Sequence, residues 1–115
     1  MNVPLWWQRC DAITVTLYSA PMDATQIDWG TLLLEILAVA TVSVAVSAEH
    51  SIDPNNPNGW SNLVTVTGSA VGNFPGVFGG DSSGTTQPVG PYVRFKAVVT
   101  VTSGAVVWSA SAVLR

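Results

Sequence analysis

Residues 31–49, TLLLEILAVATVSVAVSAE, decide the fold of this chain. Every even-numbered position from Leu32 to Ala48 is apolar, running through Leu34, Ile36, Val42, Val44 and Val46. The odd positions mix Glu35, Thr41, Ser43, Ser47 and Glu49 with Leu33, Leu37, Val39 and Ala45. Alternation at period two, with β-branched residues crowding the second half, marks a strand that buries one face. The run far exceeds the usual strand of about five or six residues. It predicts either two strands broken or bent near positions 38–41, or one long strand crossing the corner of a sandwich. The same run is nearly long enough to cross a bilayer as a helix. Glu35 inside it, the absence of flanking Lys or Arg, and the two-residue period speak against a membrane helix.

Upstream, residues 11–19 (DAITVTLYS) alternate Ile13, Val15 and Leu17 against Thr14, Thr16 and Tyr18, and predict a first strand. Before it stands an arm, residues 1–10, with Pro4 and the adjacent Trp6 and Trp7. Such an arm either packs on its own domain or inserts a tryptophan into a neighbouring subunit, because indoles are costly to leave in water. Downstream, residues 50–59 (HSIDPNNPNG) carry turn chemistry, clearest at Asn58-Gly59. Residues 60–66 predict a short strand. Residues 67–91 are rich in Gly, Ser and Thr, with Phe74, Val77 and Phe78 embedded. A loop that long is unusual, so a short strand is expected at 73–78 and a mobile tip at 79–86. The tip is the expected partner-facing loop. Residues 92–102 and 105–114 alternate cleanly around Ser103-Gly104 and predict an antiparallel hairpin.

With 115 residues, the chain suits one domain, the sandwich occupying 11–115. Charged residues make up only 10%, well below the roughly 25% usual in soluble domains, against 48% hydrophobic. A surface so poor in charge is covered by Ser, Thr, Gly and Asn, or by other protein. Five Trp and two Tyr point to interfaces, where aromatic groups supply much of the energy. The net charge is −3 and the basic residues Arg9, Arg94, Lys96 and Arg115 form no cluster, which argues against nucleic-acid binding. Residues 1–12 lack the basic-then-apolar run of a secretory signal. Cys10 is the only cysteine, so no internal disulfide can form.

Little catalytic chemistry is legible. Cys10 and His50 are the only thiol and imidazole, with no motif around either. There is no G-x-S-x-G elbow, no phosphate-binding Gly-rich loop, and no spacing of the seven acids that a glycosidase would need. Asp53, Asn55 and Asn58 loosely resemble a calcium loop, but the closing Glu of an EF-hand would fall at Val64. The expectation is a protein that is not an enzyme and holds no cofactor or metal. Trp29, Trp60 and Tyr92 could line a sugar-stacking platform, although large aromatics more often build cores.

The order of the pieces resembles small β-sandwich modules of phage and prophage structural genes. The matching pieces are residues 32–38, 42–47, the Asn58-Gly59-Trp60 turn, 90–100 and 105–114. The chain departs from that pattern where Trp60 follows Gly59 directly and in its long loop at 74–86. The resemblance implies a virion role, as head decoration, head fibre or tail-associated subunit, assembled in the host cytoplasm, and transfers no catalytic residue. The expected fold is all-β, a single antiparallel β-sandwich of jelly-roll or immunoglobulin-like type with an N-terminal arm. The expected function is a homo-oligomeric structural subunit bound to a major capsid or tail protein. Its interface would draw on Trp6, Trp7, Phe74 and Phe78. The alternative is a carbohydrate-binding module.

Overall fold

The computed structural model describes residues 1–11, 14–38, 41–79 and 89–115. They form β1 (Asn2–Asp11), β2 (Thr14–Tyr18), β3 (Met22–Asp23), β4 (Trp29–Ala38), β5 (Thr41–Ser51), β6 (Ser61–Gly68), β7 (Gly72–Gly79), β8 (Tyr92–Ser103) and β9 (Ala105–Leu114). Two antiparallel sheets pack face to face. The first has the order β1-β9-β4-β7 and the second β2-β8-β5-β6, with β3 beside β8.

The deciding stretch is two strands, and they lie in opposite sheets. β4 ends at Ala38 in the first sheet and β5 begins at Thr41 in the second. Register shifts sit on both sides of this corner, between Ile36 and Ala38 and between Thr41 and Val42. Bulges of this kind bend a strand and increase its twist, which lets the chain change sheets. On either side of the corner the even-numbered residues point inward: Leu32, Leu34, Ile36, Val44, Val46 and Ala48 are all buried. From the facing strands, Phe95, Val99, Val106 and Trp108 complete the core.

The pairings nest. β5 pairs with β6, β4 with β7, β2 with β8 and β1 with β9. This is one long hairpin whose tip is the loop at 52–60, wound so that β9 also lies against β4 and β8 against β5. That winding is the jelly roll, and the strand order differs from the immunoglobulin arrangement. The tip is built by local capping. Asp53 Oδ1 accepts the Asn55 N–H at 3.0 Å, and Asn56 Oδ1 accepts the Asn58 N–H at 3.1 Å. The buried Ser51 hydroxyl donates to the Asp53 carbonyl and accepts its N–H. These are Asx- and Ser-type turns, so Asp53 and Asn56 are explained as turn formers.

Three expectations are corrected here. The runs at 92–102 and 105–114 are strands, but they do not pair as a hairpin. β8 lies between β2 and β5 in the second sheet, and β9 between β1 and β4 in the first. Gly104, at φ +74°, supplies the left-handed reversal that starts the crossing. Residues 1–10, expected as an arm ahead of a sandwich at 11–115, pack on their own domain as part of the sandwich: β1 is an edge strand paired with β9 from Asn2 to Asp11. Phe78 is not interface material, since it is 0% exposed and meets Phe95 edge-on at 6.4 Å. A strand was expected at 73–78 and β7 is found there, one residue longer at each end. Of the expected mobile tip at 79–86, all but Gly79 lies outside the described residues.

Candidate functional site

Alternation alone puts adjacent residues on opposite sides of a sheet, but it does not say which goes in. For Trp6 and Trp7 a bulge decides. The β1–β9 register runs Val3↔Ala112 and Pro4↔Ser111, skips Leu5, and resumes at Trp6↔Ala110 and Trp7↔Ser109. A one-residue shift exchanges the faces. Trp6 therefore turns toward the core, its ring tilted against that of Trp108 with centroids 5.9 Å apart, while Trp7 points out with 76% of its surface exposed. Of the four residues expected at an interface, only Trp7 is largely open. Trp6 and Phe74 are half-buried against the core and Phe78 is enclosed.

Trp7 belongs to a larger surface. Across the first sheet, one row of outward residues reads Pro4, Ser111, Leu33, Pro75, and the next reads Trp7, Ser109, Glu35, Asn73. Leu33, Leu37 and Val77 are 37%, 45% and 39% exposed, and Val107 and Val113 are half-exposed on the same side. Charge is scarce on this face. Arg9 and Asp11 pair with each other at 3.2 Å at one end, and Glu35 lies within.

The second sheet has the opposite character. Its outer rows carry Thr14, Ser43 and Thr100, then Ser47, Thr65 and Lys96. The Ser47 and Thr65 hydroxyls hydrogen-bond at 2.9 Å. One compact cluster stands out from this polar lawn. The Arg94 guanidinium lies between two rings, 4.5 Å from the Tyr18 centroid and 4.4 Å from that of Trp60. Its Nε donates to Glu49 Oε1 at 2.8 Å, with both side chains largely covered. The planar cation thus ties the edge strand β2, the central strands β8 and β5, and the loop before β6. Arg94→Ala is expected to lower unfolding stability by about 2 kcal/mol, because it leaves the covered Glu49 carboxylate unpaired and unstacks two rings. Arg94→Lys is expected to recover less than half of that, lacking the flat fork. Urea titrations of the three proteins check both values.

The sugar-platform residues do not come together. Trp29 lies on β4 in the first sheet, beside Arg115 at 5.6 Å, whereas Tyr92 and the Trp60–Arg94 stack belong to the second. Cys10 and His50 are likewise on different sheets. Cys10 is buried in β1, and His50 Nδ1 accepts the Gly90 N–H at 2.9 Å beside a hollow of about 230 Å³ at the hairpin tip. Among the described residues, no group of three or more His, Cys, Asp or Glu could hold a metal ion.

Sequence reading had found Trp7, but not the face it belongs to. The signal was present in the odd-numbered Leu33 and Leu37 and in Val107 and Val113, large apolar residues on the side opposite the core set. No protein-family profile and no curated protein matches the chain.

Proposed function

We propose that this chain is a non-enzymatic structural subunit of a phage or phage-like particle, of the decoration, minor capsid or tail-associated kind. It self-associates and binds a larger shell or tail protein. The observation that carries this reading is the contrast between the two outer faces: one sheet shows Trp7, Leu33, Leu37 and Val77 to solvent, the other shows Ser and Thr. An apolar face of that extent on a small domain marks a contact surface. Low charge fits a dense array, in which repeated like charges repel. The jelly-roll winding agrees with a capsid-type module by fold analogy alone, and lectins share it.

Two measurements test the reading. The purified chain is expected to form a discrete oligomer in sedimentation velocity below about 100 μM, the range of ordinary specific association. Co-expressed with the shell and tail proteins of its own genome, it is expected in the particle fraction of a density gradient. A chain that stays monomeric and never enters particles overturns it. The competing reading, a glycan-binding module, draws on Tyr18, 53% exposed beside Lys96. Tryptophan quenching by a glycan would favour it, and silence across a broad glycan array would sink it.

A further inference from the structure

We propose that the outer face of the β1-β9-β4-β7 sheet is the surface on which two copies of this chain pack, sheet against sheet. This contact deepens the self-association proposed above and rests on it. Four features of the face select a second copy as its occupant.

Relief comes first. The inner strand β9 presents Ser109 and Ser111 outward in mid-sheet, between the larger Val107 and Val113. The flanking strands present large residues, Trp7 on β1 and Leu33 and Leu37 on β4. The face therefore has a short trough at Ser109 and Ser111 between the Trp7 and Leu33 ridges, and a hollow of about 240 Å³ where Trp7, Gln8, Arg9 and Val107 meet. A ridge beside a trough is self-complementary, because a two-fold axis seats each copy's ridge in the other's trough.

Area comes second. Four strands about 4.8 Å apart and roughly ten residues long cover about 600 Å² in projection. Two such faces bury about 1,200 Å², the lower bound of specific, stable interfaces. Chemistry is third. Among the described residues the charges of the face are the Arg9–Asp11 pair at one end, Glu35 inside and Arg115 over the Trp29 ring at the other end, so the middle of the face offers little for a strongly charged partner to pair with. Its match is another apolar sheet, and the Ser- and Thr-covered second sheet is not one. The edges are fourth. Both edge strands of this sheet carry a proline, Pro4 in β1 and Pro75 in β7. Proline cannot donate to an added strand, which disfavours joining edge to edge and leaves the face as the contact.

Sedimentation equilibrium on the full chain tests the assignment, with Leu33→Asp lowering a ridge, Ser111→Arg filling the trough, and Thr65→Asp as a control on the other sheet. Circular dichroism establishes which variants fold. Each folded face variant is expected to raise the dimer Kd by about 100-fold, and the control by less than about threefold, as for centre against off-site positions. If neither face variant folds, hydroxyl-radical footprinting of the wild type decides: Trp7 and Leu33 become protected as concentration rises, and Tyr18 does not. A rise below about tenfold in a folded face variant, an equal rise in the control, or unprotected Trp7 and Leu33 overturns the assignment. In each of those cases the wild type still assembles and the functional reading stands. A wild type monomeric to about 1 mM overturns the self-association itself.

Discussion

Removing residues 1–8 is expected to unfold the protein, not merely to release it from its neighbours. Those residues are most of an edge strand whose inward side chains Val3, Leu5 and Trp6 pack on the core. The strand is pinned at its N-terminal end by a reciprocal pair of hydrogen bonds. The N-terminal amine donates to the Leu114 carbonyl at 2.8 Å and the Leu114 N–H donates to the Met1 carbonyl at 2.8 Å. Full burial of one such side chain contributes about 1.5–3 kcal/mol. Three half-buried ones, one of them an indole, together with the Trp108 ring laid bare, come to about 5 kcal/mol. A small domain has about 5–15 kcal/mol in total. The truncated chain should therefore lose its cooperative melt or fall by tens of degrees. A truncation that melts within about 1 kcal/mol of the full chain would show β1 to be dispensable. Oligomer loss in that truncation says nothing about an interface, which is why single outward substitutions are the better probe.

Trp108 carries the second large effect, and it has two parts. The ring is 0% exposed, packed at a tilt against Trp6 on an inner strand of the first sheet. Trp108→Ala should cost about 3–5 kcal/mol, the range for deleting a large core aromatic. Yet the indole Nε1 is buried with no hydrogen-bond partner. An unmade hydrogen bond of this kind costs about 1–3 kcal/mol. Trp108→Phe keeps most of the apolar ring and removes the orphan donor, so its net cost should be about 1 kcal/mol or less. Urea denaturation of the two variants should thus separate them by at least about 2 kcal/mol. Equal destabilisation would mean that the Nε1 proton is satisfied after all.

Both effects show where local pattern ends. The inward set of β4 and β5 was readable from alternation, because an apolar residue at every second position has one low-energy orientation in a sandwich. So was the 52–60 turn, whose Asp53 and Asn56 side chains cap their own backbone two residues on. It joins β5 to β6, the one pair of consecutive strands sharing a ladder among the described residues. Trp6 and Trp7 were readable as a pair needing cover. Which of them turns inward was not, because the bulge that skips Leu5 is set by how β1 matches β9, more than a hundred residues away in sequence.

The amino-acid sequence by itself determined that the chain is all-β, where β4, β5, β8 and β9 run, and which face of β4, β5 and β8 is buried. These follow from period-two patterning and turn residues, which act within a few positions of one another. Only the tertiary structure decided sheet membership. Ser103-Gly104 reverses the chain, but the same reversal serves a hairpin or a crossing between sheets. The choice is made by distant partners: β2 and β5 take β8, while β1 and β4 take β9. The candidate surface depends on that choice. Pro4, Trp7, Leu33, Pro75 and Val77 share a face only because four strands from both ends and the middle of the chain meet in one sheet.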